Sequence, residues 1–229
     1  EEMSNIILDQ RGTIDKYEGD AIIAFFGAPV PLEDHAARAC RSAVHMKKME
    51  RILNEHILRE KLSAVPLVTR IGVNTGEMVV GNMGTQKRMD YTIMGNSVNL
   101  AARLEGVNKQ YGTWILISEE TYKTAGAEFA VRPMDRVRVV GISQPVRLYE
   151  LVDEKKALDA KTAEGMELFR GGMDLFDQKR WAEAAVQFQQ VLKVLPGDGP
   201  AETFLKRCQE FRQKPPVDNW DGVYNLSTK

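Results

Sequence analysis

Along the first two thirds of the chain, the spacing of apolar positions changes repeatedly between the period of a strand and the period of a helix. The runs 13–17 and 20–26 are β-prone and flank the pair Glu18–Gly19, a combination that predicts a β-hairpin. From Asp34, a favourable N-cap residue, apolar residues recur at helical spacing as far as Leu53. We therefore expect a hairpin followed by a long amphipathic helix that packs on a sheet.

A second helix is predicted from Asn96, its expected N-cap, to about Asn108. Its apolar side consists of Leu100, Leu104 and Val107. Further β-prone runs predict strands at 67–73, 78–81, 90–93, 114–117, 136–140 and 146–150. Because strands and helices alternate while hairpins require antiparallel pairs, we expect an α+β fold with a mixed or antiparallel sheet.

The pattern changes after residue 152, and no further strand is predicted beyond that point. Gly172, Ala184, Phe188 and Pro196 follow the spacing of a tetratricopeptide repeat of about 34 residues, and 201–211 resembles the first half of another unit. Short arrays of this kind depend on stacked neighbours for their stability. We therefore expect the segment to pack on the first domain or on a second copy of the chain.

We therefore expect three parts of the chain: a domain at 1–152, a helical segment at 153–214 and a tail at 215–229. The tail is either a mobile end or a strap over apolar surface, and Trp220 favours the strap. The helical segment could likewise serve to pack against the domain or to bind a peptide of a regulatory protein.

The amino-acid composition limits which ligands and which cellular location are expected for the chain. The 31 Lys and Arg residues against 32 Asp and Glu residues leave a net charge of −1, so no overall basic field favours nucleic acid. Cys40 and Cys208 lie far apart within helical patterns, which argues against a disulfide framework and for the cytoplasm. No apolar run approaches the roughly 18 residues of a membrane span. Any phosphate-bearing ligand must therefore be bound by a local group of residues.

One local group could bind phosphate. Asn99 and Arg103 are one helical turn apart, on the side away from the apolar stripe, and could together hold an anionic group. Asp20, at the hairpin tip, has the oxygen chemistry that Mg²⁺ prefers. Taken singly, each residue also has a structural interpretation: Asp20 as a turn carboxylate, Lys16 as a surface lysine, and Asn99 as a solvated helix residue.

At these residues the sequence resembles the class III nucleotide cyclase catalytic domain, from Glu1 to about Leu151. The resemblance rests on three blocks in order: K-Y-E-G-D-A-I-I-A-F-F-G-A-P at 16–29, R-I-G-V-N-T-G-E-M-V-V-G-N-M-G at 70–84, and Y-T-I-M-G-N-S-V-N-L-A-A-R-L-E at 91–105. It implies a ferredoxin-like α+β domain that forms a head-to-tail homodimer. Each of its two equivalent active sites would be built from both subunits.

The resemblance also implies roles for individual residues. Asp20 corresponds to one of two metal-binding aspartates, and Lys16 to the residue that donates to N1 of adenine. Thr92 falls where many adenylate cyclases carry an aspartate that accepts from the adenine amino group, and a threonine there is typical of the IIIb branch. Asn99 and Arg103 correspond to the pair that orients the ribose and stabilises charge on the phosphate in the transition state. Lys16 and Asp20 of one chain would serve opposite sites.

The triphosphate-binding part departs from the family pattern. Lys87 or Arg88 lies near the place where the family presents a basic side chain to the β- and γ-phosphates. Val140 occupies the position of a triphosphate-binding lysine in the last hairpin, where Arg138 could substitute in part. The other metal aspartate of the family lies on a strand that precedes the first helix, and this sequence begins after that strand. We therefore expect weak or no turnover from an N-terminally truncated domain.

The resemblance implies an adenylate cyclase that converts ATP to 3′,5′-cyclic AMP and pyrophosphate with Mg²⁺ or Mn²⁺. Expected partners are ATP, a second copy of the chain and a regulatory protein on the tetratricopeptide-like segment, but no nucleic acid. A cytoplasmic location is expected, and the parent protein could be anchored to a membrane. Two alternatives stay open: a non-catalytic dimerisation or docking module, and a guanylate cyclase, which Lys16 disfavours.

Overall fold

The structure is a computed structural model that describes residues 1–138, 145–216, 220 and 222–225. In chain order, its helices are α1 (Glu2–Asp9), α2 (His35–Arg59), α3 (Asn96–Tyr111), α4 (Glu119–Ala125), α5 (Ala160–Asp177), α6 (Trp181–Val194) and α7 (Gly199–Gln213). Its strands are β1 (Thr13–Glu18), β2 (Ala21–Phe25), β3 (Ile71–Val73), β4 (Val79–Thr85), β5 (Arg88–Met94), β6 (Ile115–Ser118), β7 (Phe129–Arg138), β8 (Val146–Glu154) and β9 (Val223–Asn225). Among these residues, none of the helices combines the length and the apolar character that crossing a bilayer requires.

The central sheet has five strands in the order β3-β6-β8-β7-β9. β3 pairs with β6 in parallel, β8 pairs with both β6 and β7 in antiparallel fashion, and β9 runs parallel to β7. Two antiparallel hairpins, β1–β2 and β4–β5, form separate small sheets. The expected α+β class with a mixed sheet is therefore confirmed.

The predicted elements agree with the structure in kind and differ at their ends. The first hairpin and the long helix after Asp34 are present as predicted. The strand expected at 67–73 comprises Ile71–Val73, and the preceding residues 66–70 have no regular secondary structure. Asn96 is wrong as an N-cap: Gly95 precedes the helix with φ +145°, a conformation that glycine adopts readily, and Asn96 is the first helical residue.

The prediction of no strand beyond residue 152 is wrong. Residues 223–225 pair with 136–138 at the edge of the central sheet. Trp220 anchors this segment: its indole nitrogen donates to the carbonyl of Val223 at 3.3 Å, and its ring packs edge-on against Phe176 and Phe211. The apolar anchor and the backbone pairing make the described part of the tail a strap rather than a free end.

Helix α2 packs on the sheet through small side chains. Ala36, Cys40 and Ala43 are buried against Ile115 and Ile117 of β6. Small residues let the helix approach the strands closely, so the contact excludes water. Burial raises the pKa of the Cys40 thiol to about 12, and this cysteine is therefore an apolar core residue rather than a reactive thiolate.

Helix α3 is held against β3 by backbone proximity and by two amides. Gly72 of β3 lies so close to α3 that a Cβ on it would overlap the carbonyl oxygen of Ala101 and the amide of Glu105. The buried Asn108 side chain donates to the carbonyl of Ile71 at 3.0 Å. Beyond the strand, the Asn74 side chain donates to the carbonyl of Ser97 at 2.9 Å. The position of α3 is therefore fixed along most of its length.

The helical segment shares one hydrophobic core with the first domain. Leu104 and Tyr111 of α3 belong to the same buried cluster as Phe169, Phe188 and Phe204 of α5, α6 and α7. The Tyr111 and Phe204 rings are 6.1 Å apart. The expectation that this segment packs on the first domain is confirmed, while its assignment to the tetratricopeptide family stays a prediction.

Buried ion pairs connect the helical segment to the sheet. Arg132 of β7 donates through Nε to Glu150 of β8 and forms a two-pronged contact with Asp198, whose oxygens lie 2.7 and 3.1 Å away. Asp198 is also the N-cap of α7 and accepts from the backbone of Ala201 at 3.0 Å. Burial alone would lower the pKa of Arg132, but the two carboxylates raise it, so the guanidinium stays charged.

A second buried network joins α3, β7 and α7. Asp135 of β7 accepts from the Tyr111 hydroxyl at 2.6 Å and from Arg207 at 2.5 Å. Burial and the neighbouring carboxylate raise the pKa of Tyr111 well above its usual value, which keeps the phenol protonated and able to donate. The Asp135 carboxylate and the Arg207 guanidinium therefore compensate each other's charge in the interior.

We predict that removing Arg207 destabilises the whole chain. Arg207→Met leaves the buried Asp135 carboxylate without its counter-charge, and should lower the free energy of unfolding by about 3–5 kcal/mol. The control is Arg212→Met, at an exposed position of the same helix, which should change it by no more than about 0.5 kcal/mol. Urea denaturation followed by circular dichroism measures both, and equal losses would contradict the prediction.

We also predict opposite effects of alanine at two glycines near α3. Gly72→Ala forces α3 away from β3 and should destabilise the protein by about 3 kcal/mol. Gly106→Ala adds a methyl group where α3 has open space, and should stabilise the protein by about 0.5–1 kcal/mol through helix propensity. Thermal unfolding distinguishes the two, and a neutral Gly72→Ala would refute the close packing of α3 on β3.

Candidate functional site

Lys16 lies on β1, where the strand contains a β-bulge. Ile14 pairs with Ala24 but Lys16 pairs with Ile23, so Asp15 is an extra residue in the ladder. The Lys16 side chain is 45% exposed, and its ammonium lies 3.5 Å from Asp15 Oδ2. The sequence analysis did not single out Asp15, because a bulge leaves no signal in the pattern of apolar residues.

Asp20 lies in the turn of the same hairpin and follows Gly19. The φ of Gly19 is +60°, in the left-handed region that favours glycine. The Asp20 side chain is exposed, so its carboxylate is open to a ligand from outside the chain. Within the described residues, no three His, Cys, Asp or Glu side chains converge to hold a metal. Asp20 therefore fits one oxygen ligand of a hard cation whose other ligands come from elsewhere, which is usual for Mg²⁺.

Thr92 lies on β5, the strand beside the first hairpin. Rings of Tyr91 on β5 and Phe25 on β2 pack 6.3 Å apart, and β5 also contacts β1. The Thr92 side chain is buried, and its hydroxyl has no hydrogen-bond partner in the part of the chain that the structure describes. A buried hydroxyl of this kind retains the capacity to bind a polar group of a ligand.

Helix α3 presents the predicted pair on its open side. Asn99 is exposed and Arg103 is half-buried, one turn further along. Leu104 and Val107 are buried on the opposite side, as the sequence predicted. Gly95, between β5 and α3, turns the chain, so the first turn of α3 follows closely after Thr92.

The structure does not bring Lys87 and Arg88 to the other candidates. Both are exposed at the far end of the β4–β5 hairpin, and Arg88 lies 3.7 Å from Asp90. Arg88 is four residues from Thr92 along β5, or about 14 Å at the rise of an antiparallel strand. Within one chain, the two basic residues are therefore remote from Thr92.

Arg138 and Val140 belong to the end of the last hairpin. Arg138 is the last residue of β7, and its backbone is in register with Asn225 of β9. Val140 lies outside the described residues. The expectation that Arg138 takes over part of the role of the family's triphosphate-binding lysine, whose place Val140 occupies, stays a prediction.

Two cavities in the described part of the chain lie away from these residues. One, of about 200 Å³, lies where the sheet meets the N-terminus of α7 and is lined by Arg132, Glu150 and Asp198. The other, of about 350 Å³, lies between β7, α5 and Trp220. Lys16, Asp20 and Asn99 are each exposed instead, so a ligand of these residues would contact side chains at the surface of this chain.

The structure thus groups the predicted residues by element. Lys16 and Thr92 lie on neighbouring strands, and Asn99 and Arg103 follow on the helix that begins after β5. Asn74, which the sequence analysis did not consider, fixes the first turn of that helix through the Ser97 carbonyl. These elements carry a cation, an amide, a guanidinium and, within the described residues, a buried hydroxyl without a hydrogen-bond partner, groups that suit a nucleotide with a base and charged phosphates.

Comparisons with known proteins match this chain to nucleotide cyclases. The adenylate and guanylate cyclase catalytic domain family matches residues 3–153. The terminal-differentiation specific adenylate cyclase of Dictyostelium discoideum is 35% identical over 210 residues, which cover 88% of this chain and 10% of that protein. Adenylate cyclase 1 of Rhizobium meliloti is 35% identical over 161 residues, covering 70% of this chain and 24% of that protein. The chain therefore spans a quarter or less of these relatives.

Solved structures show the same fold. The adenylyl cyclase CyaB from P. aeruginosa is 39% identical with a TM-score of 0.61, over 69% of this chain and 80% of that chain. The guanylyl cyclase Cya2 is 34% identical with a TM-score of 0.59, over 69% of this chain and 78% of that chain. By its matched residues and its fold, the chain belongs to the adenylate and guanylate cyclase catalytic domain family.

Proposed function

We propose that this chain is an adenylate cyclase domain that converts ATP to 3′,5′-cyclic AMP and pyrophosphate. The observation that carries the proposal is that β1, with Lys16, and α3, with Asn99 and Arg103, both contact β5, with Thr92. Two relatives at 35% identity bear the name adenylate cyclase, which supports ATP as substrate. The guanylyl cyclase among the similar structures supports the reaction class without choosing the base.

The choice of adenine rests on donors and acceptors. The Lys16 ammonium is a donor only, and matches the N1 acceptor of adenine. The Thr92 hydroxyl can accept from the 6-amino group, and it has no competing partner among the described residues. Guanine presents a donor at N1 and an acceptor at position 6, so Lys16 would face a donor. Together, the Lys16 ammonium and the Thr92 hydroxyl therefore favour ATP over GTP as the substrate.

The phosphate chemistry is assigned to α3. Asn99 orients the ribose so that its 3′ oxygen faces the α-phosphorus. A bond forms between these two atoms, the bond from the α-phosphorus to the oxygen that bridges to the β-phosphate breaks, and pyrophosphate leaves. The hydroxyl proton passes to water. Arg103 stabilises the negative charge that accumulates on the phosphoryl oxygens as this happens.

A divalent cation would be held by Asp20 together with phosphate oxygens. When bound, Mg²⁺ or Mn²⁺ acidifies the ribose hydroxyl and neutralises the leaving pyrophosphate. Asp20 supplies one carboxylate, so we expect low turnover from this chain. The same observation favours a second candidate function, a non-catalytic cyclase-like docking module, which would not bind ATP.

We infer that two copies of the chain form two equivalent sites, with Asp20 of one copy facing α3 of the other. The hairpins that would meet a partner carry exposed apolar side chains. Tyr17, Val79, Met89 and Met94 are each more than half exposed on β1, β4 and β5. Apolar residues concentrated on two neighbouring hairpins are typical of a surface that a partner covers.

The helical segment is proposed to contain tetratricopeptide-like units. Gly172 of α5 supports this assignment, because a Cβ there would lie 2.7 Å from the ring of Phe188 on α6, a close small-to-large contact. A docking role for a regulatory protein remains part of this proposal. The core that α5–α7 share with α3 means that such a partner would bind close to the helix that carries Arg103.

We predict that Arg103→Ala lowers turnover about 10²-fold while the affinity for a non-hydrolysable ATP analogue changes little, because the lost charge acts mainly in the transition state. The control is Lys109→Ala, which removes an exposed charge from the same helix and should leave both quantities unchanged. Turnover is measured as pyrophosphate release with Mn²⁺ and ATP. A chain that binds no ATP analogue would support the docking module instead.

We predict that Lys16→Glu reverses the choice of base. A carboxylate accepts where adenine N1 also accepts, so the affinity for the ATP analogue should fall at least about tenfold. The ratio of GTP to ATP analogue affinity should rise correspondingly. Lys109→Glu, with the same charge change away from the hairpin, is the matched control for titration calorimetry. An unchanged ratio would remove Lys16 from base recognition.

A further inference from the structure

The β-bulge in β1 places two adjacent side chains together. In a regular strand, neighbouring side chains point to opposite faces, so Asp15 and Lys16 would be separated. The extra residue at Asp15 interrupts this alternation, and Asp15 Oδ2 lies 3.5 Å from the Lys16 ammonium. The two side chains are nevertheless in different environments, because Asp15 is 2% exposed and Lys16 is 45% exposed.

The Asp15 carboxylate is incompletely satisfied. Its Oδ1 atom is buried and has no hydrogen-bond partner within 1–138, 145–216, 220 and 222–225. A buried charged oxygen without a partner is costly to the folded state. The other oxygen of the Asp15 carboxylate forms an ion pair with Lys16, and the lysine itself extends into solvent. Folding alone therefore gives little reason for a carboxylate at this position.

We propose that Asp15 is a positioning residue that holds the Lys16 ammonium in place for the nucleotide base. The inference rests on the proposed function, since it assigns to Asp15 the orientation of the base-reading lysine. Asp15 contacts Lys16 rather than the substrate.

The physical effect is a loss of freedom at the lysine. A free lysine side chain samples many rotamers, and binding would have to overcome the entropy that is lost when one of them is selected. A carboxylate 3.5 Å from the ammonium attracts it toward one position, which lowers that cost in advance.

The test is a double-mutant cycle. Asp15→Asn keeps the size of the side chain and removes its charge; it is made in the natural chain and in a Lys16→Met background. The control is Asp9→Asn, an exposed position on α1 with the same change of charge. Titration calorimetry with non-hydrolysable ATP and GTP analogues measures affinity, and thermal unfolding measures stability.

In the natural chain, Asp15→Asn should weaken binding of the ATP analogue about tenfold and reduce the preference for ATP over GTP. In the Lys16→Met background the same change should cost less than about twofold, since Asp15 acts through the lysine. The melting temperature should stay the same or rise, because a buried, partly unsatisfied charge is removed.

An equal loss of affinity in both backgrounds, or a fall in melting temperature that accounts for the loss, would show that Asp15 is structural and overturn the inference. A natural chain that prefers ATP, with a preference unchanged by Asp15→Asn, would overturn it while leaving the proposed function intact. A natural chain that binds neither analogue would overturn both.

Discussion

The close approach of α3 to β3 is the constraint on which the site depends. Gly72 allows contact at the distance of the backbone, where any larger side chain would overlap the helix. Asn108 and Asn74 add hydrogen bonds from the helix to the strand and from the following loop to the helix. Because strand and helix are joined without intervening side chains, little freedom remains for α3 to slide or tilt. The backbone that carries Asn99 and Arg103 is therefore held in a fixed position.

The same helix connects the site to the remainder of the chain. Its buried side belongs to the core of α5, α6 and α7, and its last residue, Tyr111, donates to Asp135, which also binds Arg207. Asp198 caps α7 and holds Arg132 of the central sheet. The helical segment is thus part of the structure that supports α3, and a ligand on α5–α7 could influence the site only by changing these buried contacts.

Patterns of apolar residues were sufficient to predict most of the fold. The hairpin, α2, α3 and the helices after residue 160 follow from local periodicity, and the resemblance to cyclases identified the family. Pairing between distant residues could not be predicted, because three residues at 223–225 carry too little pattern to identify a strand. The short helix α4, capped by Ser118, was missed for a similar reason, as seven residues contain less than two complete periods. The contact at Gly72 depends on the packing of α3 against β3, which the sequence does not reveal.

Candidate residues of the site could be named from the sequence, but the sequence could not show which polar groups the fold leaves without hydrogen-bond partners. In the described part of the chain, five buried polar atoms lack hydrogen-bond partners: Asp15 Oδ1, Ser42 Oγ, Arg70 Nε, Thr92 Oγ1 and Trp181 Nε1. Such atoms also occur away from sites, and the Arg70 guanidinium lies over the ring of Trp114. Asp15 and Thr92 differ from the others because they lie on β1 and β5, two strands that contact each other, and Asp15 forms an ion pair with the exposed Lys16. Polar groups without protein partners on two contacting strands fit the proposed function, because a surface that binds a polar ligand keeps polar groups that the protein itself does not satisfy.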